Sequence, residues 1–304
     1  MEEKQIIGWW SGGITSAVTC KIIIDIYGLK NCRFVFIDTN NEDEDTYRFK
    51  NDCEKWYGKE IETISRITAL SPDKRMDQKT WESIEEIWLK NKSLNTANGA
   101  ICSSELKRDL RKKWQKINTY DHQAFGFDID EVKRAKSMSL NYPEAFPIYP
   151  LLMYAYRKKD CIKIIQQAGI EVPKMYKLGF LNNNCFKTGC VQGGIGYWQK
   201  MKREYPEKYE KMAAWEHKLT DLKGNPVTIC KDQSNNAKDI VNETGDKTLQ
   251  RVFLKAHPSY PHLKDITEVK GREPEPMVEC NGLCGINDLS QKPKEKEADQ
   301  LKMF

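Results

Sequence analysis

Ser11-Gly12-Gly13-Ile14-Thr15-Ser16 follows the apolar run Ile7-Gly8-Trp9-Trp10 and leads into the helix-competent stretch Ala17–Ile24. An apolar run that halts at a glycine pair and restarts as a helix reads as a buried parallel strand, a tight turn and a helix N-terminus. Such a turn aims several backbone N–H groups and the positive end of a helix dipole at one point. Hydroxyls of Ser11, Thr15 and Ser16 add donors around Gly12 and Gly13. The natural occupant is a phosphate, although a glycine pair at a strand end can also serve structure alone.

The thiols are the second group able to do chemistry. Ten cysteines in a chain expected in the cytoplasm call for an account other than disulfides. Cys20 and Cys161 fall within helical patterns and Cys32 and Cys53 at or near element ends, which makes them buried small hydrophobes. Cys185/Cys190 and Cys280/Cys284 lie instead in polar, glycine-containing segments with no packing need for cysteine. Two short-spaced pairs, C-x4-C and C-x3-C, can close a four-thiolate site for zinc or an iron–sulfur cluster; free or redox-active thiols are the alternative. Cys102 lies just before a predicted helix whose N-terminus lowers a thiol pKa. It is open between a sulfur-carrying thiolate, a further metal ligand and a plain neighbour of the helix cap. Gly193-Gly194, ahead of a helix starting near Ile195, offers a second anion niche. Tyr197 and Trp198 either stack on a base or pack in a core. His122, His217, His257 and His262 form no close ligand spacing.

The elements that must position these residues follow from the patterning. Strands are predicted at Gln5–Trp10, Cys32–Asp38, Glu60–Arg66 and His122–Phe127, with another near Ala145–Tyr149. Helices are predicted at Thr15–Tyr27, Glu44–Trp56, Gln78–Lys90, Glu105–Gln115 and Lys158–Ala168. This alternation gives a mostly parallel sheet with helices on both faces and ligands at the carboxyl ends of the strands. Beyond about Val172 the rhythm is lost. Residues 173–192 read as irregular, 194–219 as one or two helices broken at Pro206, and Asp221–Glu275 as polar with weak periodicity. The expected organisation is an α/β domain at 1–172, a cysteine-bearing appendage at 173–290 and a charged flexible tail at 291–304. With 49 Lys and Arg against 44 Asp and Glu, the net charge of +5 permits an anionic partner without demanding nucleic acid. No apolar run approaches the ~20 residues that cross a membrane, and Met1–Gln5 shows no signal-peptide core.

Five blocks carry a resemblance. Ser11–Ser16 resembles the PP-loop of adenine-nucleotide alpha-hydrolases, Ser-Gly-Gly-x-Asp-Ser. Phe36-Ile37-Asp38-Thr39-Asn40-Asn41-Glu42 resembles the second-strand motif of the phosphoadenosine phosphosulfate (PAPS) reductase family. Ile101-Cys102-Ser103-Ser104-Glu105-Leu106-Lys107 is similar to that family's Cys-Thr-x-x-Leu-Lys segment, and Gly126–Arg134 to its Gly-x-x-x-x-Glu-x-x-Arg element. Gly189-Cys190-Val191-Gln192-Gly193-Gly194-Ile195-Gly196-Tyr197-Trp198 resembles a block of phage- and bacterium-encoded members. The blocks run in family order over residues 7–216, about two-thirds of the chain.

The resemblance implies a Rossmann-like (HUP-type) fold that binds ATP with Mg2+, or a phosphoadenylate. In such enzymes an acceptor oxygen is adenylated, pyrophosphate leaves, and a sulfur or nitrogen nucleophile displaces AMP. It implies Lys107 and Arg134 as counter-charges for phosphoryl oxygens, and Asp38 and Thr39 as nucleotide-binding, Asp38 through Mg2+ or the ribose. Sulfur transfer beside a [4Fe–4S] cluster or Zn2+ is the expected chemistry, with a sulfur donor protein and a tRNA or DNA acceptor as candidate partners. Two departures qualify this. Thr15 replaces the PP-loop aspartate, as in a Ser-Gly-Gly-x-Thr-Ser subgroup, which leaves room for a nucleotide-binding module without turnover. Glu279-Cys280 lacks the histidine of the reductases' Glu-Cys-Gly-x-His nucleophile, so Cys280 reads as a ligand, with thiol-dependent sulfonucleotide reduction as the alternative.

Overall fold

A computed structural model describes residues 5–65, 83–96 and 99–266, together with Pro274 and Met277. Its centre is a five-stranded sheet in the order β3-β2-β1-β6-β7, every pair parallel. The strands are β1 (Ile6–Trp10), β2 (Cys32–Ile37), β3 (Ile61–Ile64), β6 (His122–Ala124) and β7 (Pro147–Ile148). After β1 the chain builds outward through β2 and β3, then returns to the other side of β1 for β6 and β7. The order reverses between β1 and β6, and a crevice at such a reversal is where open α/β sheets take ligands. The expected α/β class with a mostly parallel sheet is what the chain forms.

Alternation along the strands feeds two cores. Ile6, Trp10, Phe34 and Phe36 face one side with α1 (Ile14–Tyr27), α2 (Glu44–Tyr57) and the later helix Lys158–Gln167. Ile7, Trp9, Val35 and Ile37 face the other, against Leu110, Trp114 and Met138. Gly8 interrupts the apolar run because a Cβ there would sit 2.8 Å from Cys20 Sγ and 2.9 Å from the Phe34 ring. Cys20, Cys32, Cys53 and Cys161 are all buried, as expected of small core residues.

One expectation holds where it can be seen and two change. Helix Ile84–Asn91 (α3) is present, with Ser83 and Glu86 forming a capping box; the earlier half of the predicted Gln78–Lys90, and Arg66, lie outside the described residues. The helix foreseen from Glu105 begins at Ile101, runs as a π-helix over Ser103–Arg108 and continues as α4 (Asp109–Ile117). Cys102 is therefore inside a helix, not ahead of one. A further helix, α5 (Val132–Asn141), stands where none was predicted.

The remaining elements are α6 (Pro150–Met153), α7 (Lys158–Gln167), α8 (Lys174–Lys177), α9 (Ile195–Glu204), α10 (Pro206–Lys223) and α11 (Asn235–Thr244). Pro206 does divide α9 from α10, taking the first position of the second helix, where its missing N–H costs nothing. The polar stretch after Asp221 folds into a small sheet of β8 (Cys230–Lys231), β9 (Arg251–Phe253) and β10 (Lys264–Asp265). A hairpin, β4 (Asn95–Thr96) with β5 (Gly99–Ala100), precedes the π-helix. A third core joins α9, α10 and β9 to Ile84, Trp88, Leu94 and Leu106 from the first half of the chain. Cys280, Cys284 and the 291–304 tail lie outside the described residues.

Candidate functional site

Three loops converge at the carboxyl ends of adjacent strands β2, β1 and β6. The first is Ser11–Gly13. Gly12 takes a φ of 87°, a conformation that favours glycine. Gly13 is the N-cap of α1 and supplies no side-chain cap, so the amides of the first turn are offered to a ligand. One is already engaged: Ile14 N donates to the Tyr176 hydroxyl at 3.3 Å.

Ser16 braces the loop from inside. Its Oγ accepts from Ser11 N and from Ser11 Oγ, both at 3.0 Å, and donates to Gly13 O at 2.8 Å. Ser11, half-buried at the mouth, has both its N–H and its hydroxyl proton on Ser16, so it could reach a phosphate only by releasing the hydroxyl bond. Thr15 is fully buried, and its hydroxyl has no hydrogen-bond partner among the described residues. The close approach that buries it comes from Gly126, whose added Cβ would lie 2.8 Å from Ser16 N.

The second loop starts at Asp38. Its carboxylate accepts from Asn40 N at 2.7 Å and from the Tyr47 hydroxyl at 3.0 and 3.1 Å. Burial, and then the Asp38 charge, push the Tyr47 phenol well up, so it remains a donor. Thr39 is buried and donates to Glu42 Oε1 at 3.2 Å. Glu42 in turn accepts from Lys107 Nζ at 3.2 Å, both side chains almost wholly buried. Lys107 thus carries its own counter-ion on the π-helix.

The third loop is Gly126–Asp128. Asp128 caps the short turn Ile129–Glu131 and also accepts from Lys158 N at 3.1 Å. Arg134 pairs with Glu131 through Nη1 and lies 4.7 Å over the Phe127 ring. Its Nη2 is buried with no hydrogen-bond partner among the described residues. A buried guanidinium N–H left unmatched is costly, and a phosphoryl oxygen would satisfy it.

The cysteine-bearing segment packs directly on these loops. Phe186 N and Lys187 N both donate to Asn41 O, at 3.1 and 3.3 Å, and Asn41 Nδ2 donates to Thr188 Oγ1 at 2.8 Å. Cys185 Sγ lies 3.8 Å from Thr39 Oγ1. Cys185, Cys190 and Cys102 line one small cavity of about 10 Å3, together with Asn41, Trp88 and Thr188. Among the described residues no three or more His, Cys, Asp or Glu are arranged to hold a metal ion. Only the first half of the expected four-thiolate set can be placed, since Cys280 and Cys284 lie outside the described residues. Tyr197 and Trp198 are both core residues, and the Tyr197 hydroxyl accepts from Cys190 N at 3.1 Å. Gly193 is packed against the Tyr197 ring, where an added Cβ would come within 2.2 Å.

Sequence reasoning missed Tyr176, Tyr47 and Asn183 at the site and did not pair Glu42 with Lys107. It also missed that the His217 and His257 rings approach to 4.6 Å; His257 accepts from Ser259 N and faces Asp221 at 3.4 Å. Among the described residues no helix is long and apolar enough to cross a membrane.

Comparison with known proteins agrees with the geometry. Residues 5–193 match the family model of the phosphoadenosine phosphosulfate reductase domain. An uncharacterized protein of Methanocaldococcus jannaschii is 26% identical over 230 residues, which cover 72% of this chain. The matched region spans 42% of that relative's length.

Proposed function

The chain belongs to the phosphoadenosine phosphosulfate reductase domain family, and from that premise we propose that it binds ATP, or a phosphoadenylate, and couples adenylation to sulfur transfer. The observation that carries this reading is the adjacency of the nucleotide loops and a thiol-lined cavity, joined at Thr39 and Cys185, 3.8 Å apart. An acceptor oxygen would attack the α-phosphorus as the bond to the β-phosphate oxygen breaks and pyrophosphate leaves. A sulfur nucleophile would then take the acceptor carbon, and AMP would depart with the transferred oxygen. The first-turn amides of α1 would hold the pyrophosphate oxygens as charge develops on them, with Ser11 joining only if its hydroxyl leaves Ser16. Arg134 is the cation assigned to a phosphoryl oxygen, because its Nη2 is buried and unmatched among the described residues. Lys107 could serve only by giving up Glu42. Mg2+, held through water by Asp38, would supply Lewis acidity.

Cys185 and Cys190, with Cys280 and Cys284, are the thiols that would hold zinc or an iron–sulfur cluster, although Cys102, Cys185 and Cys190 line one cavity without being arranged around a metal position. The cavity these thiols line, about 10 Å3, is no larger than a single water. The bound group would supply either a fixed scaffold, if zinc, or sulfur and redox chemistry, if a cluster. Thiol-dependent reduction of a sulfonucleotide needs an accessible thiolate, and all eight described cysteines are buried, which leaves only Cys280 and Cys284 to support that alternative. A module without turnover draws support from Thr15, buried where a carboxylate would stand. A tRNA or DNA acceptor is compatible with the net charge of +5.

The test is pyrophosphate release from ATP and Mg2+ across candidate acceptors, in wild type and in Ser11→Ala, Gly13→Ala and Arg134→Ala variants. Release that falls at least tenfold in each variant supports adenylation. Tight ATP binding with no pyrophosphate from any acceptor would leave the module without turnover. Anaerobic purification with iron, sulfide and zinc analysis, repeated on Cys185→Ala, decides between cluster and zinc; no metal at all removes the thiolate site.

A further inference from the structure

Gly12 and Gly13 form the most pliable peptide of the phosphate loop, and something must stop it from flipping. A trans peptide holds its C=O and the following N–H on opposite sides of one plane. Whatever fixes Gly12 O therefore fixes the direction of Gly13 N–H. In this chain Gly12 O accepts from Asn183 Nδ2 at 2.9 Å. The same Nδ2 donates to Thr46 Oγ1 at 3.1 Å, in the first turn of α2. Asn183 is 4% exposed, so water does not readily replace it. Gly12 is also wedged against Thr46, where an added Cβ would lie 2.9 Å from Cγ2.

We infer that Asn183 is a positioning residue for phosphate binding: it reaches from the cysteine-bearing segment to Gly12 O and orients the Gly13 amide toward the ligand. The inference rests on the nucleotide-binding reading and adds a residue that none of the loop's own sequence names. The residues after Asn183 make it a rigid strut. Phe186, Lys187 and Thr188 are tied to Asn41 beyond β2, so the amide of Asn183 is held from the adjacent strand end and not from a free loop.

Binding of Mg·ATP and of adenosine, measured by calorimetry on the full chain, separates this role from a general packing role. Asn183→Ala should weaken ATP about tenfold, the worth of roughly one hydrogen bond, and leave adenosine within twofold. Asn183→Asp keeps the shape but sets an acceptor against Gly12 O, so the loss of ATP binding should exceed that of the alanine variant. Thermal unfolding of each variant establishes that it is folded. Equal weakening of ATP and adenosine, or unchanged ATP binding in both folded variants, would overturn the assignment while wild-type binding kept the nucleotide reading intact. Wild-type protein that binds neither ATP nor a phosphoadenylate would overturn both.

Discussion

Lys107 and Glu42 show how a residue's meaning depends on a partner far along the chain. The motif around Lys107 marks it as a cation of the site, and Asp38–Glu42 is legible as a polar strand tip. Nothing local says that the two ends meet, 65 residues apart, as a buried ion pair at 3.2 Å. Removing one member of such a pair leaves an uncompensated charge in a poorly solvating interior. Lys107→Met should therefore cost about 3–5 kcal/mol in urea unfolding, and Lys107→Met with Glu42→Gln much less. A single variant within about 1 kcal/mol of wild type would mean the pair is better solvated than its burial indicates. The same distance effect hid Tyr176 and Asn183, which meet the phosphate loop from 162 and 171 residues away. Ser11–Gly13 could be read because strand, turn and helix signals are contiguous there. The division of labour among the hydroxyls could not, since Ser16 turning inward depends on backbone geometry that residue types alone do not set.

At the level of elements, β1, β2, β3 and most flanking helices were readable from a sustained apolar pattern or a clear terminus, and the short β6 and β7 only because they sit within the longer apolar stretches 122–127 and 145–149. Helix α5 was not, since Val132, Ala135, Met138 and Leu140 are spread among Lys, Arg, Ser and Asn over only ten residues. The small sheet escaped for a different reason: strands of two or three residues are too short for a period of two to register. That sheet is held by a carboxyl group. Glu216 of α10 is fully buried and accepts from Ile229 N at 2.7 Å and Leu254 N at 2.6 Å. Burial pushes its pKa up to about 8 from an ordinary 4.5, against the pull of those two amides and Arg251. A group raised on folding contributes stability that is fully present below its unfolded pKa and is lost as pH rises through the folded one. Between about pH 5 and 9 the unfolding midpoint of wild type should fall by several degrees. Glu216→Gln should start lower, because its amide N–H faces a backbone N–H, and should vary less over the same range. Parallel profiles for the two proteins would show that Glu216 does not titrate there.

For the molecule as a whole, the question is whether the sheet can stand without the chain beyond residue 172. The third core argues that it cannot. Ile84, Ile87, Trp88, Leu94, Ile101 and Leu106 precede residue 172, yet they are buried with Phe180, Trp198, Met212 and Leu219 from beyond it. Burying each such side chain is worth about 1.5–3 kcal/mol, so uncovering six costs on the order of 10 kcal/mol, comparable with the net stability of an entire domain. The phosphate loop would lose Asn183 and Tyr176 as well. The family match points the same way, for it runs to residue 193 and takes in the segment that carries Asn183, Cys185 and Cys190. A fragment of residues 1–172 should therefore aggregate, or remain soluble only as a dye-binding, non-cooperative species that does not bind Mg·ATP. Size-exclusion chromatography, anilinonaphthalene sulfonate fluorescence and thermal unfolding of that fragment check this directly. A monomeric fragment that unfolds cooperatively would show the nucleotide half to be a domain in its own right. In that case α3 and the π-helix would have to repack on the sheet, and the cysteine segment would be a regulator of the phosphate loop and not part of its foundation.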